Sequence, residues 1–136
     1  ADFGGQVIFE GYHPLDNGDL MLVWSLPTAT HADYHVAIEV LDETGATLRR
    51  VDDRRLAGYN YPTFRWRPGA IIAGRIPIED WLGHTLADFE DGAATPAAGY
   101  QLRLRIYNGN DPAHTALPLV NGNAELLIPN VHPILE

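Results

Sequence analysis

The chain of 136 residues contains no cysteine and no lysine, and only one methionine. Without cysteine there is neither a disulfide framework nor a thiolate site. Ser25 is the single serine, set in a strand-like run without the glycines of a nucleophile elbow, so serine-hydrolase chemistry finds no support. No apolar run reaches the length of a membrane-spanning helix, and no stretch reads as a signal peptide. The first residue is Ala1 rather than methionine, as expected of a processed protein or an excised piece of a longer one.

Positive charge is scarce. The formal net charge is −9, the wrong sign for general nucleic-acid binding, because phosphate binders present a basic surface. The distribution is uneven, however. From Arg49 to Arg75 seven arginines accompany only Asp52 and Asp53, a balance of +5, while Arg103 and Arg105 stand against the other sixteen acids, a balance of −14. Arginine forks match carboxylates and phosphates bidentately. Two readings follow: these arginines pair with acids on neighbouring strands, or they form a basic patch for an anionic headgroup or an acidic sugar.

What the chain does contain is turn residues and alternation. Ten prolines and thirteen glycines separate short apolar runs, the signature of strands and turns rather than of a helical bundle. Val7–Tyr12, Leu20–Leu26, Tyr34–Val40, Thr47–Asp53, Ala70–Ile78, Tyr100–Tyr107, Leu117–Val120 and Ala124–Ile128 read as strands. Asp42-Glu43-Thr44-Gly45 should close a hairpin between the third and fourth, and Asn121-Gly122 another between the last two. Trp81, Leu82, Leu86 and Phe89 fall at helical spacing, which predicts a short helix near 79–90, although Gly83 weakens it. The expected fold is all-β: one domain over 1–136, an antiparallel two-sheet sandwich, immunoglobulin-like or jelly-roll-like, of about eight strands.

The stretch Tyr59–Ile78 is the most distinctive. It gathers Tyr59, Tyr61, Phe64 and Trp66, turns at Pro68-Gly69, and continues into Ile71, Ile72, Ile76 and Ile78. Sugar rings present apolar C–H faces that stack on aromatic side chains, and flanking arginines engage the hydroxyls. Aromatic residues are equally the largest contributors to a core. Trp66 and Phe64 are expected in the core, whereas Tyr59 and Tyr61 are open to either role. The candidate ligand residues are therefore Tyr59, Tyr61, Arg54, Arg55, Arg65 and Arg67.

The order of signals also resembles a known domain. Gly11-Tyr12, Gly18-Asp19 leading to Val23-Trp24, and Tyr34-x-Val36 leading to Leu41-Asp42-x-x-Gly45 come first. Tyr61-Pro62-Thr63 with Trp66-x-Pro68-Gly69, Gly99-Tyr100-x-Leu102-Arg103, Ile106-Tyr107-Asn108 and Leu117-Pro118-Leu119 follow. Together they resemble the C-terminal β-sandwich of bacterial polytopic membrane glycosyltransferases of the dolichyl-phosphate-mannose mannosyltransferase type. Ala70 and Gly74 stand where that pattern often has acidic residues, and Glu79–Ala98 is longer than its usual connection. The resemblance implies a non-catalytic accessory domain on the outer side of a bacterial membrane, in the cell envelope. Such a domain would bind or position a glycan, a lipid-linked sugar or a neighbouring part of its parent membrane protein.

Two further constellations bear on metals. His31, Asp33 and His35 share one face if the strand begins early, and two imidazoles with a carboxylate suit zinc. Asp16-Asn17-Gly18-Asp19 and Asn108-Gly109-Asn110-Asp111 offer the oxygens that calcium prefers, although turns use the same residue types. The rival functions are accordingly a purely structural or protein-interaction sandwich and a metal-dependent enzyme built on His31, Asp33 and His35.

Overall fold

The computed structural model describes residues 1–135, without the side chains of Asp52 and Asp53. Among the described residues eight strands occur in the order β1 (Asp2–Phe3), β2 (Val7–Pro14), β3 (Leu20–Ser25), β4 (Tyr34–Leu41), β5 (Thr47–Arg55), β6 (Ile72–Ile76), β7 (Tyr100–Asn108) and β8 (Leu126–Val131). They form two antiparallel sheets, β1-β2-β3-β6 and β5-β4-β7-β8. The passages from β3 to β4, β5 to β6 and β6 to β7 each cross between sheets, giving the expected two-sheet sandwich.

Period-two burial explains the layering. Leu20, Leu22 and Trp24 alternate with the half-buried Met21 and Val23 along β3. Tyr34, Val36, Ile38 and Val40 do the same along β4, as do Tyr100, Leu102, Leu104 and Ile106 along β7. These inward side chains belong to one buried cluster. Each contributes about 1.5–3 kcal/mol relative to exposure. Trp24 meets Phe9 edge-on, with ring centroids 5.0 Å apart.

The registers fix which connections share an end of the sandwich. Thr63 Oγ1 donates to Ala32 O, the Gly69 N–H donates to Leu26 O, and the Gly109 N–H donates to Asp33 O. Residues 26–33, 56–71 and 109–116 therefore gather at one end. At the other, Trp81 donates its indole N–H to Gly18 O, Arg49 donates to Asp80 O, and Gln101 donates to Asp42 O. That end is built from residues 15–19, 42–46 and 77–99.

Several boundaries differ from those expected. The predicted helix is two, α1 (Ile78–Leu82) and α2 (Leu86–Glu90). Gly83 ends α1 in the left-handed region at φ 76°, and Thr85 and Asp88 form a capping box that starts α2. Ile78 leaves the expected strand to begin α1, its N–H donating to Asp19 Oδ1. Leu117–Val120 does not form a ladder strand. The Asn121-Gly122 turn closes, with the Gly122 N–H on Leu119 O, but Leu117 and Leu119 go to different partners: the Leu117 N–H donates to Ile106 O, and Leu119 bridges to Phe3. β8 pairs with β7 instead.

The edge strands β5 and β6 lie in different sheets and are joined side by side. Arg54 donates to Asp80 Oδ2 and to Arg75 O. Gly74 is buried against the backbone just beyond β5, where an added Cβ would lie 2.0 Å from Leu56 O. Gly74→Ala should therefore push the edges apart and lower the unfolding free energy by about 1–3 kcal/mol. A urea titration checks this, and an unchanged midpoint would contradict the close approach.

Candidate functional site

At the first end of the sandwich the chain is tied down from within. Thr63 is buried, its hydroxyl oxygen accepting the Tyr34 N–H while it donates to Ala32 O. Trp66 is also buried, and its indole N–H donates to Tyr61 O. The Pro68-Gly69 turn closes through the Ala70 N–H and Arg67 O, with Gly69 at φ 80°, the conformation glycine adopts in a type II turn.

Beside this frame stands Asp33, with 10% of its side chain exposed. Its Oδ2 accepts from Arg55 Nε at 3.1 Å and Nη2 at 3.0 Å. His35 Nε2 lies 3.3 Å from the same oxygen. Arg55 uses its remaining arm, Nη1, to bond Tyr59 O at 2.6 Å. One buried carboxylate thus orients an arginine, which in turn fixes the backbone of an exposed tyrosine. Asp33 Oδ1 is buried with no hydrogen-bond partner among the described residues, leaving acceptor capacity inside the cluster. His35 also packs 5.8 Å from Tyr107, which stacks on His114 at 4.5 Å.

Over this cluster lies a depression of about 370 Å³ lined by His35, Arg54, Arg55, Gly58 and Tyr59. Residues proposed separately, as a ligand set and as a metal set, are thereby brought together. Tyr59 is 86% exposed and Tyr61 39%. Arg54 contributes to the wall while its guanidinium is held by Asp80. Arg65 and Arg67 are exposed and lie outside the depression. Phe64, expected in the core, is 47% exposed, because the 3-10 turn Thr63–Arg65 buries Thr63 and turns Phe64 outward.

The metal readings fare differently. His31 is exposed, and only Asp33 and His35 of that trio come together. Among the described residues no group of three His, Cys, Asp or Glu side chains is placed to hold a metal ion. In the first acidic turn, Asp19 gives Oδ1 to the Ile78 N–H and Oδ2 to Arg75. In the second, Asp111 accepts from the N–H groups of Thr115 and Ala113, which hold its carboxyl below the usual aspartate range, Thr115 first. Both aspartates are thus engaged in local structure.

Among the described residues four of the nine arginines follow the pairing reading, three of them from the Arg49–Arg75 cluster. Arg54, Arg55, Arg75 and Arg103 bridge to Asp80, Asp33, Asp19 and Glu39 respectively. Pairings through Asp52 or Asp53 lie outside the described residues. Ser25, the lone serine, donates to Glu10 Oε1.

One groove went unread in the sequence. About 490 Å³ in volume, it lies between the β4–β5 hairpin and the two helices, and its walls include Arg49, Glu43, His84, Phe89 and Tyr100. The helical spacing of 79–90 was a signal for the helices, but nothing local showed that they fold over the hairpin. Burial pushes the Tyr100 phenol up, against the Ala97 N–H bond that pulls it down.

In comparisons with protein-family models, curated proteins and solved structures, no match to this chain was found.

Two outcomes follow. Asp33→Ala removes the acceptor of a charged hydrogen-bond pair and should cost about 1.5–3 kcal/mol, with increased backbone mobility at Tyr59 by NMR relaxation. Glu39 is held below the ordinary glutamate range first by its Thr47 hydroxyl bond, then by Arg103 and Arg50, against desolvation. A depressed carboxyl contributes stability above its ordinary range that is lost as pH falls through the folded value. Urea midpoints should therefore differ between Thr47→Ala and wild type at pH 6, and the difference should shrink at pH 3.

Proposed function

We propose that this domain is a non-catalytic, extracytoplasmic accessory module of a bacterial membrane glycosyltransferase-like protein. Its work is to bind a glycan, or the sugar of a lipid-linked donor, in the depression beside Tyr59. The order of motifs from Gly11-Tyr12 to Leu117-Pro118-Leu119 supports the family part of this reading. An immunoglobulin-like sandwich, in which loops at one end carry the binding residues on a rigid scaffold, is in keeping with it.

The observation that carries the ligand part is the Tyr59 ring, 86% exposed on a backbone anchored by Arg55. An exposed ring at the mouth of a concave site offers a stacking face for sugar C–H groups. Arg55 in the wall keeps two N–H groups beyond the three held by Asp33 and Tyr59 O, and these are donors for hydroxyls or for an acidic sugar's carboxylate. Volumes of this order suit one or two sugar rings.

Glycan-array screening followed by calorimetry tests the reading. A bound sugar is expected, with Tyr59→Ala weakening it about tenfold while the melting temperature is unchanged. An array without hits, or equal affinity in the variant, would reject the Tyr59 site. Many membrane spans encoded upstream in the same reading frame are the expected genetic context.

A further inference from the structure

The two ends of the sandwich differ in charge, one strongly acidic and the other balanced. Connections 15–19, 42–46 and 77–99 hold nine of the eighteen acids: Asp16, Asp19, Asp42, Glu43, Glu79, Asp80, Asp88, Glu90 and Asp91. Connections 26–33, 56–71 and 109–116 hold two, Asp33 and Asp111. Both of these are engaged, Asp33 with Arg55 and Asp111 with turn N–H groups. No acid occurs from Arg54 to Ile78.

The same end displays side chains with an affinity for an interface. Phe64 is 47% exposed and Ile71 63%, and both flank Arg65 and Arg67 on the segment pinned by Thr63, Trp66 and Gly69. Arg65 and Arg67 are exposed. The ion pairs among the described residues engage other arginines, not these two. Arg65 and Arg67 have no ion-pair partner among the described residues, and the aromatic and aliphatic side chains that flank them are exposed. They suit a surface that is anionic in its outer layer and apolar just beneath.

We propose that this end docks on a bilayer bearing anionic headgroups, with Phe64 and Ile71 in the interfacial region and Arg65 and Arg67 on lipid phosphates. Charge complementarity selects this occupant. A protein of net charge −9 is repelled by an anionic membrane unless it turns its acid-poor end inward, and the nine carboxylates of the opposite end then point away. The proposal uses residues outside the Tyr59 depression and stands whether or not a sugar binds there.

Vesicle co-sedimentation of the 136-residue protein is the test, using phosphatidylcholine vesicles with and without about 30% phosphatidylglycerol to supply an anionic surface. Binding is expected only to the anionic vesicles and should weaken at high salt, where charges are screened. Replacing both arginines, R65Q with R67Q, should weaken it about 25-fold, from roughly a fivefold loss per basic residue at the surface. F64S with I71S should weaken it as well. All four positions are exposed, so circular dichroism and melting temperature should match wild type. No sedimentation with either vesicle, equal binding by wild type and R65Q/R67Q, or equal binding to both vesicle types would each overturn the proposal. So would salt-sensitive oligomers, seen by light scattering and abolished in R65Q/R67Q, without vesicle binding. That result would assign Arg65 and Arg67 to the acidic end of a second copy.

Discussion

Leu20, Leu22 and Trp24 in one sheet and Val36, Ile38, Leu102, Leu104 and Ile106 in the other meet between the sheets, none more than 1% exposed. That apolar contact is the constraint on which the remaining structure depends. It occupies the interior with hydrocarbon and aromatic rings, so polar chemistry is displaced to the ends, the edges and the outer faces. A reading centred on surface recognition follows from this displacement rather than from any single motif.

The ends are then specialised by what the connections carry. At one, Trp81 seals the layer, and its indole N–H on Gly18 O ties the helical segment to the β2–β3 turn. At the other, Thr63 and Trp66 seal it, and the chain between them has its aromatic and cationic residues turned outward. Asp33 stands between the sealed frame and the outward residues of that end. Its carboxylate is buried with Arg55 and His35 beside it, so a charge pair that adds little net stability when buried instead specifies where Arg55 and Tyr59 stand. The joined edges of β5 and β6, with Arg54 reaching Asp80 and Arg75, hold this arrangement against the sheets.

Much of the architecture was legible because period two is a local property. The β4–β5 hairpin could be read from seven alternating residues, Tyr34–Val40, and an Asp-Glu-Thr-Gly turn, and it pairs as expected. Other features depend on contacts no local pattern carries. β1 has two residues and no period. The 117–120 run has strand composition, but its bonds go to Ile106 and Phe3, which are distant in sequence. Phe64 is turned outward by a single 3-10 turn. In the candidate site, Tyr59, Arg54 and Arg55 were legible as an aromatic–arginine cluster. Their meeting with Asp33 and His35 was not, because it depends on a register shift in the β4–β5 ladder between Val36 and Ile38, beyond which His35 stands opposite Arg55.

A titration of isotopically labelled protein by two-dimensional NMR, with sugar mixtures and then anionic bicelles, tests the central claim most directly. If the interior is closed and recognition belongs to the acid-poor end, shift changes will be confined to residues 26–35, 54–71 and 107–116. Changes centred on inward positions such as Leu22, Ile38 and Leu104, or on the acidic end around Glu43 and His84, would contradict it.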